Sequence, residues 1–331
     1  MSTGIALLFF AFKGVDLRST LHEIKEANLF LILLSVGLSM VAMVSRAYRW
    51  NILIEPLGFK PKLSNTTYSL LVGYLANLAL PRLGEVTRCG SLTKAEKIPF
   101  DELLGTVIAE RLIDVICLFL CIVLTAFVEY ERLGNFLFQN LYVPVSNKFV
   151  NLIESPWVHL ALAVAIILFI AFILVMKKNS AKKGVIFKIM TLLKGVLEGI
   201  RSVRKIKRPR AFLFHTVLIW TLYFLVSYIC FFALPATSHL GWKAGLFVLV
   251  VGGMSMSAPV QGGIGIFHLL ISQGLLLYSI AYEHGIAFAT LLHSTQTIMV
   301  IIAGIISFFM LFLVNKKASV GMAINQSQHS K

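Results

Sequence analysis

Charged residues are scarce in this chain. Only 14% of its 331 residues are Asp, Glu, Lys or Arg, whereas 58% are hydrophobic. A soluble domain carries about 25% charged residues, so the composition excludes a soluble globular protein. Several apolar runs are long enough to cross a bilayer core of about 30 Å. The composition therefore predicts an all-α, polytopic helical membrane protein.

Acidic residues are the scarcer of the two signs, with 15 Asp and Glu against 30 Lys and Arg, for a net charge of +15. Twelve of the basic residues lie between Lys177 and Arg210, in a connection between two apolar runs. Basic connections are typical of the cytoplasmic side of membrane proteins, where they can also attract anionic lipids. Nucleic acid is therefore not a predicted partner. Apolar residues at helical spacing predict an amphipathic helix within this cytoplasmic connection, 177–210.

Motifs for cross-linking, metal binding and catalysis are also lacking. The four cysteines form no C-x-x-C pair and offer no disulfide framework. The sequence has no metal-ligand spacing, no phosphate-binding loop motif, and no serine or cysteine nucleophile beside an evident base. We therefore predict no metal, no cofactor and no catalytic residue.

Apolar runs dominate the sequence, and they divide a single transmembrane domain, 1–331, into two halves. In the first half, 28–128, the spans 28–44 and 103–128 flank an apolar segment that breaks at 81–84. In the second half, 212–314, the spans 212–234 and 286–314 flank a segment that breaks at 259–265. The residues predicted to form the two breaks are Pro81, Gly84, Pro259, Gly262, Gly263 and Gly265.

The distribution of Lys and Arg predicts opposite orientations for the two halves. With the basic connections and the carboxyl terminus in the cytoplasm, the first broken segment enters from the cytoplasmic side and the second from the outer side. Such paired Gly/Pro-interrupted segments are typical of inverted-repeat transporters, whose site lies where the breaks meet. The pattern predicts two re-entrant segments in an inverted repeat. Two unrelated helix kinks are the alternative.

Ionisable residues gather at the first break and in the span that follows it. An ionisable residue inside a membrane costs on the order of 2.5–3.5 kcal/mol and usually marks a polar path or site. Arginine binds phosphate through a planar fork of N–H donors. We predict that Arg82 and Arg88 bind an anionic headgroup, with an ordinary polar surface loop as the alternative. For Glu110, Arg111 and Asp114 the first interpretation is structural pairing with each other and with Arg82 or Arg88, and direct contact with a headgroup or a proton is the alternative. All six residues belong to the predicted substrate site. The residues are Arg82, Glu85, Arg88, Glu110, Arg111 and Asp114.

The second break has polar but uncharged residues. Gln261 and His268 lie in apolar surroundings there, and we include both in the predicted substrate site. His268 can titrate near neutrality, although ordinary hydrogen bonding at the start of a helix is the alternative.

Three stretches carry a recognisable pattern: Leu-Pro-Arg-Leu-Gly-Glu-Val-Thr-Arg at 80–88, Thr106-Val107 with Glu110, Arg111 and Asp114, and Pro259 with Gly262-Gly263-Ile264-Gly265. Together they resemble the lysylphosphatidylglycerol synthase transmembrane-region family, also called flippase-like domain proteins. The resemblance covers nearly the whole chain. It implies a multi-pass inner-membrane protein of bacteria or archaea. Some members carry an aminoacyl-transferase domain and move aminoacylated phosphatidylglycerol between leaflets, and stand-alone members are linked to other lipids, including hopanoids.

The chain departs from the family pattern in two places. It has no room for a soluble synthase domain, so lysyl-transferase activity is not expected. An acidic residue commonly follows the second break in the family, where this chain has His268. We therefore predict a lipid flippase or transporter of the bacterial inner membrane, whose partners are membrane lipids with an anionic phosphate headgroup. The alternatives are an enzyme or enzyme subunit acting on a lipid-linked substrate, and a membrane scaffold. The sequence leaves open whether the protein forms a homo-oligomer.

Overall fold

The computed structural model describes residues 2–130, 205–258 and 260–329. The chain divides into two compact units, one of Met1–Thr125 with Gly195–Lys331 and one of Ala126–Lys194. Nearly all described residues belong to the first unit, which is helical and has no β-strand in its described part. Its α-helices, numbered in chain order, are α1 (Ser2–Phe12), α2 (Leu17–Lys25), α3 (Leu29–Ile54), α4 (Leu63–Ala79), α5 (Leu83–Glu96), α6 (Phe100–Val128), α7 (Pro209–Phe231), α8 (Trp242–Ser257), α9 (Ile266–Leu275) and α10 (Tyr282–His329).

Four of these helical stretches are long and apolar enough to cross a membrane, which confirms the predicted class of all-α polytopic membrane protein. They are Leu29–Leu57, Phe100–Val128, Pro209–Phe231 and Tyr282–Lys316. The amphipathic helix predicted within 177–210 falls largely outside the described residues, and so does Pro259 of the second break.

The first long helix, α3, starts and ends at clear sequence signals. The Asn28 side chain accepts hydrogen bonds from the backbone N–H groups of Phe30 and Leu31, which caps the helix start. At the other end Pro56 lies in a short 3₁₀ turn, and Gly58 closes it with a left-handed φ of 95°. Helix α3 thus continues ten residues beyond the predicted end of the span at residue 44.

Helices α3 and α7 pack antiparallel to each other. The Asn28 N–H donates to the Ala233 carbonyl at 2.9 Å, and Ser45 Oγ lies 2.8 Å from His215 Nδ1. At the far end Arg208 forms an ion pair of 2.8 Å with Glu55, and this hydrogen-bonded partner raises the pKa of the Arg208 guanidinium. The helix bundle therefore has two ends, called here the Asn28 end and the Arg208 end.

Helices α4 and α5 form an antiparallel pair, the first hairpin. Leu80 is extended and Arg82 takes a left-handed φ of 62°, so the chain reverses at its tip. At the open end Glu96 Oε1 accepts hydrogen bonds from the Lys62 N–H at 3.0 Å and from Asn65 Nδ2 at 2.7 Å. Asn51 of α3 donates to the carbonyl of Pro61, which places this open end at the Arg208 end of the bundle.

Helices α8 and α9 form a second hairpin. The Phe247 and Tyr278 rings lie 5.6 Å apart, so the start of α8 is beside the end of α9. The tip contains Gly262, Gly263 and Gly265, all with positive φ, which glycine adopts without steric cost. Its open end lies at the Asn28 end, because α7 leads into α8 there and Phe231 of α7 stacks on Phe288 of α10 at 4.8 Å.

The two hairpins point toward each other, and their tips touch. A Cβ atom at Gly262 would lie 2.9 Å from Leu78 Cδ2, near the end of α4. Helix α1 covers the second tip, where a Cβ at Gly265 would lie 2.8 Å from the carbonyl oxygen of Gly4. The chain thus brings the two predicted breaks together inside the bundle, from opposite ends.

Candidate functional site

Two arginines of α3 lie on one face of the helix, because residues three apart are neighbours on a helix surface. Arg46 and Arg49 are both buried, with exposed fractions of 6% and 0%. A guanidinium stays charged in proteins, and a buried charge is tolerated only when it is paired. Both side chains therefore depend on anionic partners from other helices.

Helix α6 supplies those partners. Glu110 and Asp114 are one turn apart on α6, and their carboxylates face α3. Glu110 Oε1 lies 2.8 Å from Arg46 Nη2, and Asp114 Oδ1 lies 2.6 Å from Arg49 Nη2. Arg49 Nη2 also lies 3.3 Å from Glu110 Oε1, and Arg46 Nη2 lies 3.5 Å from Asp114 Oδ2. The four side chains form one ion-pair network between α3 and α6.

The first hairpin adds a third buried arginine. Arg88 of α5 places Nη1 2.8 Å from Glu110 Oε2. Its guanidinium lies over the Trp50 ring, 4.7 Å from the ring centroid, and Trp50 Nε1 donates to Thr106 Oγ1 at 2.8 Å. The ion pair and the cation–π contact both stabilise this position of Arg88.

Arg111 completes the group of four arginines. Its Nη2 lies 2.9 Å from Glu110 Oε1 and 3.0 Å from Asp114 Oδ2. The Arg111 side chain is 39% exposed, which makes it the most accessible arginine of the network.

Two tyrosines accept hydrogen bonds from the remaining face of Arg46. Tyr74 of α4 and Tyr223 of α7 both bind Nη1, the latter at 3.0 Å. Helices α3, α4, α5, α6 and α7 therefore all contribute a side chain. We call the six charged residues of this site the arginine cluster: Arg46, Arg49, Arg88, Glu110, Arg111 and Asp114.

The arginine cluster carries more positive than negative charge. Four guanidinium groups face two carboxylates, so two positive charges have no counterpart within it. Glu85, half-buried on α5, lines the adjoining cleft, and counting it still leaves one positive charge in excess. Desolvating charges is costly unless the geometry and additional hydrogen bonds compensate, so an excess buried here favours binding of an anion.

Several guanidinium N–H groups of the cluster also lack acceptors. These atoms are buried and have no hydrogen-bond partner within the described part of the chain. A buried donor without an acceptor costs about 1–3 kcal/mol. A group with several oxygens, such as phosphate, would satisfy more than one of them. The atoms are Arg46 Nε, Arg49 Nε, Arg49 Nη1, Arg88 Nη2 and Arg111 Nε.

A narrow cleft leads to the cluster where α4 crosses α5. It has a volume of about 30 Å³ and is lined by Tyr74, Asn77 and Glu85 together with Arg46, Arg88 and Arg111. That is little more than the volume of one water molecule. The cleft as it stands admits water but no lipid headgroup.

The crossing above this cleft depends on two glycines. A Cβ atom at Gly73 would lie 2.8 Å from the Gly84 carbonyl oxygen and 3.0 Å from Arg88 Cβ, and a Cβ at Gly84 would overlap the Gly73 carbonyl. Asn77 Oδ1 accepts a hydrogen bond from the Gly84 N–H at 2.7 Å. The role of Gly84 is thus a close helix approach, since the turn itself uses the left-handed φ of Arg82.

The structure groups most of the predicted site residues of the first half. Arg88, Glu110, Arg111 and Asp114 lie in the cluster, and Glu85 lines its cleft. Residues 83–96 form helix α5 rather than an irregular loop, and headgroup binding by this segment stays a prediction. Arg82 is exposed at the hairpin tip, and no described contact brings it to the cluster.

Arg46 and Arg49 are the two residues of the arginine cluster that were not predicted from the sequence. They follow the apolar run 28–44, where basic residues ordinarily anchor a span in the headgroup region. Their spacing of three residues puts both arginines on one face of a helix, and the spacing of four puts Glu110 and Asp114 on one face of another helix. Two cations could thus face two anions across a helix pair, and that pattern is the signal that could have identified them.

The predicted residues of the second half lie at the second tip. Gln261 begins the short 3₁₀ turn there. His268 is buried on α9, and its ring centroid lies 5.0 Å from that of His293 on α10. Within the described ranges, no three His, Cys, Asp or Glu side chains come together as a metal-binding group.

Comparison with known proteins identifies the family. A profile of the lysylphosphatidylglycerol synthase TM region matches residues 2–304 of this chain. A UPF0104 membrane protein of Methanocaldococcus jannaschii is 27% identical over 188 residues, which are 56% of this chain and 49% of the relative. The matched region therefore spans about half the length of that relative. No solved structure matches the chain significantly.

The family profile covers both hairpins, the arginine cluster and all of α1 to α9. This chain is a membrane protein that belongs to the lysylphosphatidylglycerol synthase transmembrane-region family.

Proposed function

We propose that this protein moves a polar lipid with an anionic phosphate headgroup between the two leaflets of its membrane. The observation that carries the proposal is the excess of positive charge in the arginine cluster, together with its buried N–H groups that lack acceptors. Guanidinium forks bind phosphate oxygens through paired, charge-assisted hydrogen bonds. A headgroup phosphate would supply both the missing charge and the missing acceptors.

Movement of the first hairpin gives the headgroup access to the cluster. The cleft beside Arg88 is too small for a phosphate group, and the Gly73–Gly84 crossing closes it. Separation of α4 from α5, or of the hairpin from α3, would widen it toward the Arg208 end. The tip of the second hairpin contacts Leu78. While the cleft is closed, this hairpin also separates the cluster from the Asn28 end. Opening the two hairpins in turn would expose the cluster to one side at a time.

The two hairpins correspond to the re-entrant segments of an inverted repeat in this proposal. Each follows one long helix and precedes another, and the open ends lie at opposite ends of the bundle. We propose that the Arg208 end and the carboxyl terminus face the cytoplasm of a bacterium, which the basic residues near that end support under the positive-inside rule. Labelling a Lys97→Cys variant from the outside of sealed cells tests this orientation, since the proposal predicts no labelling.

The test is leaflet exchange of fluorescent phosphatidylglycerol in vesicles that contain the purified protein, read as the fraction accessible to an external quencher. Arg88→Gln removes one phosphate donor yet leaves Glu110 with three other arginines, so the fold is expected to persist. A lost charge-assisted hydrogen bond is worth roughly 1.5–3 kcal/mol, and about 1.4 kcal/mol is a factor of ten. The exchange rate should therefore fall by about tenfold or more.

Lys94→Gln is the matched control. Lys94 lies on the same helix and is exposed, so this change removes one positive charge without touching the cluster. Its exchange rate should equal that of the wild type. An Arg88→Gln protein that melts and exchanges lipid as the wild type does would overturn the proposal. A chemically altered lipid, detected by mass after incubation, would favour an enzyme instead.

A further inference from the structure

Two histidines that the arginine cluster does not use lie at the tip of the second hairpin. His268 on α9 and His293 on α10 have exposed fractions of 5% and 8%. Their ring centroids are 5.0 Å apart with an interplanar angle of 66°. The Phe267 ring lies 5.2 Å from His293, and the Phe12 ring of α1 lies 5.9 Å from His268. Two titratable side chains are thus enclosed by apolar rings.

The hydrogen bonds of the pair leave nitrogen atoms free for a proton. His293 Nε2 lies 2.8 Å from the carbonyl oxygen of Gly262. Because a carbonyl only accepts, His293 Nε2 carries a hydrogen, and a further proton would bind at Nδ1. His268 Nδ1 is buried and has no hydrogen-bond partner among the described residues. An imidazole can bind and release a proton, and burial among apolar rings disfavours its charged form unless an anion is near.

Few charged groups lie on the elements that pack around the pair. Helix α9 and residues 260–265 of the tip carry no charged residue besides His268. Helix α10 has Glu283 and His284 in its first turn, roughly 14–15 Å along the helix from His293. Helix α1 has none before the exposed Lys13, α4 has none after Lys62, and α8 has only Lys243 at its start. A proton on the pair would therefore be the main change of charge at this tip.

The histidine pair connects to the arginine cluster through adjacent residues. Gly262, whose carbonyl binds His293, contacts Leu78 of α4. Asn77, the preceding residue, lines the cleft to the cluster and binds the Gly84 N–H. A path of packed and adjacent residues thus joins the two hairpin tips, and coupling along it is what the experiment below tests.

We infer that His268 and His293 form a proton-binding site that couples lipid movement to proton movement. The pair takes up one proton when an anionic headgroup enters the cluster, and no more than one, because a second would face a like charge in the neighbouring ring. That proton adds positive charge beside the tip contact and so favours an anionic headgroup in the cluster, while a bound headgroup favours the proton by the same factor. One proton accompanies each headgroup across the membrane and is released with it.

This inference rests on the proposed lipid movement, and one experiment separates the two. Vesicles holding the protein and fluorescent phosphatidylglycerol are given a pH difference of one unit across the membrane, with the electrical potential clamped. Coupling of one proton to each lipid biases the label toward the more alkaline side by up to about tenfold, since one pH unit equals about 1.4 kcal/mol. Vesicles without a pH difference should show equal labelling of both leaflets at equilibrium.

The variants His268→Gln and His293→Gln keep a polar side chain, and Gln at 293 can still donate to the Gly262 carbonyl. Both should retain leaflet exchange and lose the bias. His239→Gln, a change at an exposed histidine in the connection before α8, should keep the bias. Wild-type exchange that ignores the pH difference would overturn the coupling alone, whereas absence of exchange in the wild type would overturn the lipid transport itself. A bias that persists in both histidine variants would also overturn the coupling.

Discussion

The carboxylate of Glu110 touches guanidinium nitrogens of four arginines. Arg46, Arg49 and Arg111 contact its Oε1 at 2.8 Å, 3.3 Å and 2.9 Å, and Arg88 contacts its Oε2 at 2.8 Å. Glu110 itself is fully buried. Because three of the four arginines come from other helices, this one side chain holds α3, α5 and α6 together.

Replacing Glu110 with Gln therefore leaves several buried positive charges without their shared partner. Removal of one member of a buried ion pair costs about 3–5 kcal/mol. We expect Glu110→Gln to lower the midpoint of thermal unfolding of the detergent-solubilised protein well below that of the wild type. Glu283→Gln, at an exposed residue of α10, should change the free energy of unfolding by no more than about 0.5 kcal/mol. Equal midpoints for Glu110→Gln and the wild type would contradict this role.

Part of the arginine cluster could be predicted from the sequence because its charges interrupt apolar residues. Glu110, Arg111 and Asp114 lie inside an apolar segment, where charges need partners, so their grouping with Arg88 could be expected. Arg46 and Arg49 could not be assigned in the same way, since arginines at the end of an apolar run also suit the headgroup region. Only the continuation of α3 to Ile54 shows that both arginines face α6.

At the scale of the elements, the first hairpin is defined by the close crossing of α4 and α5. No side chain fits between the Gly73 carbonyl and the Gly84 Cα, so the two backbones are in direct contact. Close backbone contact at small residues is the ordinary way in which helices pack in membranes. The crossing sets the position of Arg88, one turn further along α5.

Gly84→Ala should force α4 and α5 apart, because its Cβ would overlap the Gly73 carbonyl. Overpacking of this kind costs about 1–3 kcal/mol, so the unfolding midpoint should fall. Gly90→Ala is the control on the same helix: a Cβ there meets nothing within 4 Å, and alanine favours a helix by about 0.5–1 kcal/mol over glycine. If both variants unfold at the same temperature, the crossing does not have the role described.

The apolar helices could be predicted from the sequence, whereas the polar helix α5 could not. The four long helices follow from apolar length, and the hairpin tips follow from the Pro/Gly interruptions near 81–84 and 259–265. Helix α5 was not predicted, because its sequence is polar and basic and resembles a surface connection. Its buried face packs through Arg88, Cys89 and Leu92 against Trp50 and its neighbours, which are contacts between residues far apart in the sequence.

At the scale of the whole molecule, two helical hairpins enter the bundle from opposite ends and meet at Leu78 and Gly262. The arginine cluster lies on one side of this contact and the histidine pair on the other. The sequence predicted that two breaks would meet, through their matching positions in the two halves. The contact between Leu78 and Gly262 depends on packing between residues far apart in the sequence, so it could not be predicted from local sequence patterns.

The proposed lipid transport requires that the arginine cluster selects a lipid by its anionic phosphate. The measurement that tests it most directly compares leaflet exchange of two lipids with the same fluorescent acyl chain, phosphatidylglycerol and a neutral glycosyl diacylglycerol, by wild-type protein in vesicles. We expect protein-dependent exchange of phosphatidylglycerol at least about tenfold faster than that of the glycolipid, which corresponds to about 1.4 kcal/mol of discrimination. Equal rates for the two lipids, or rates no higher than in vesicles without protein, would contradict it.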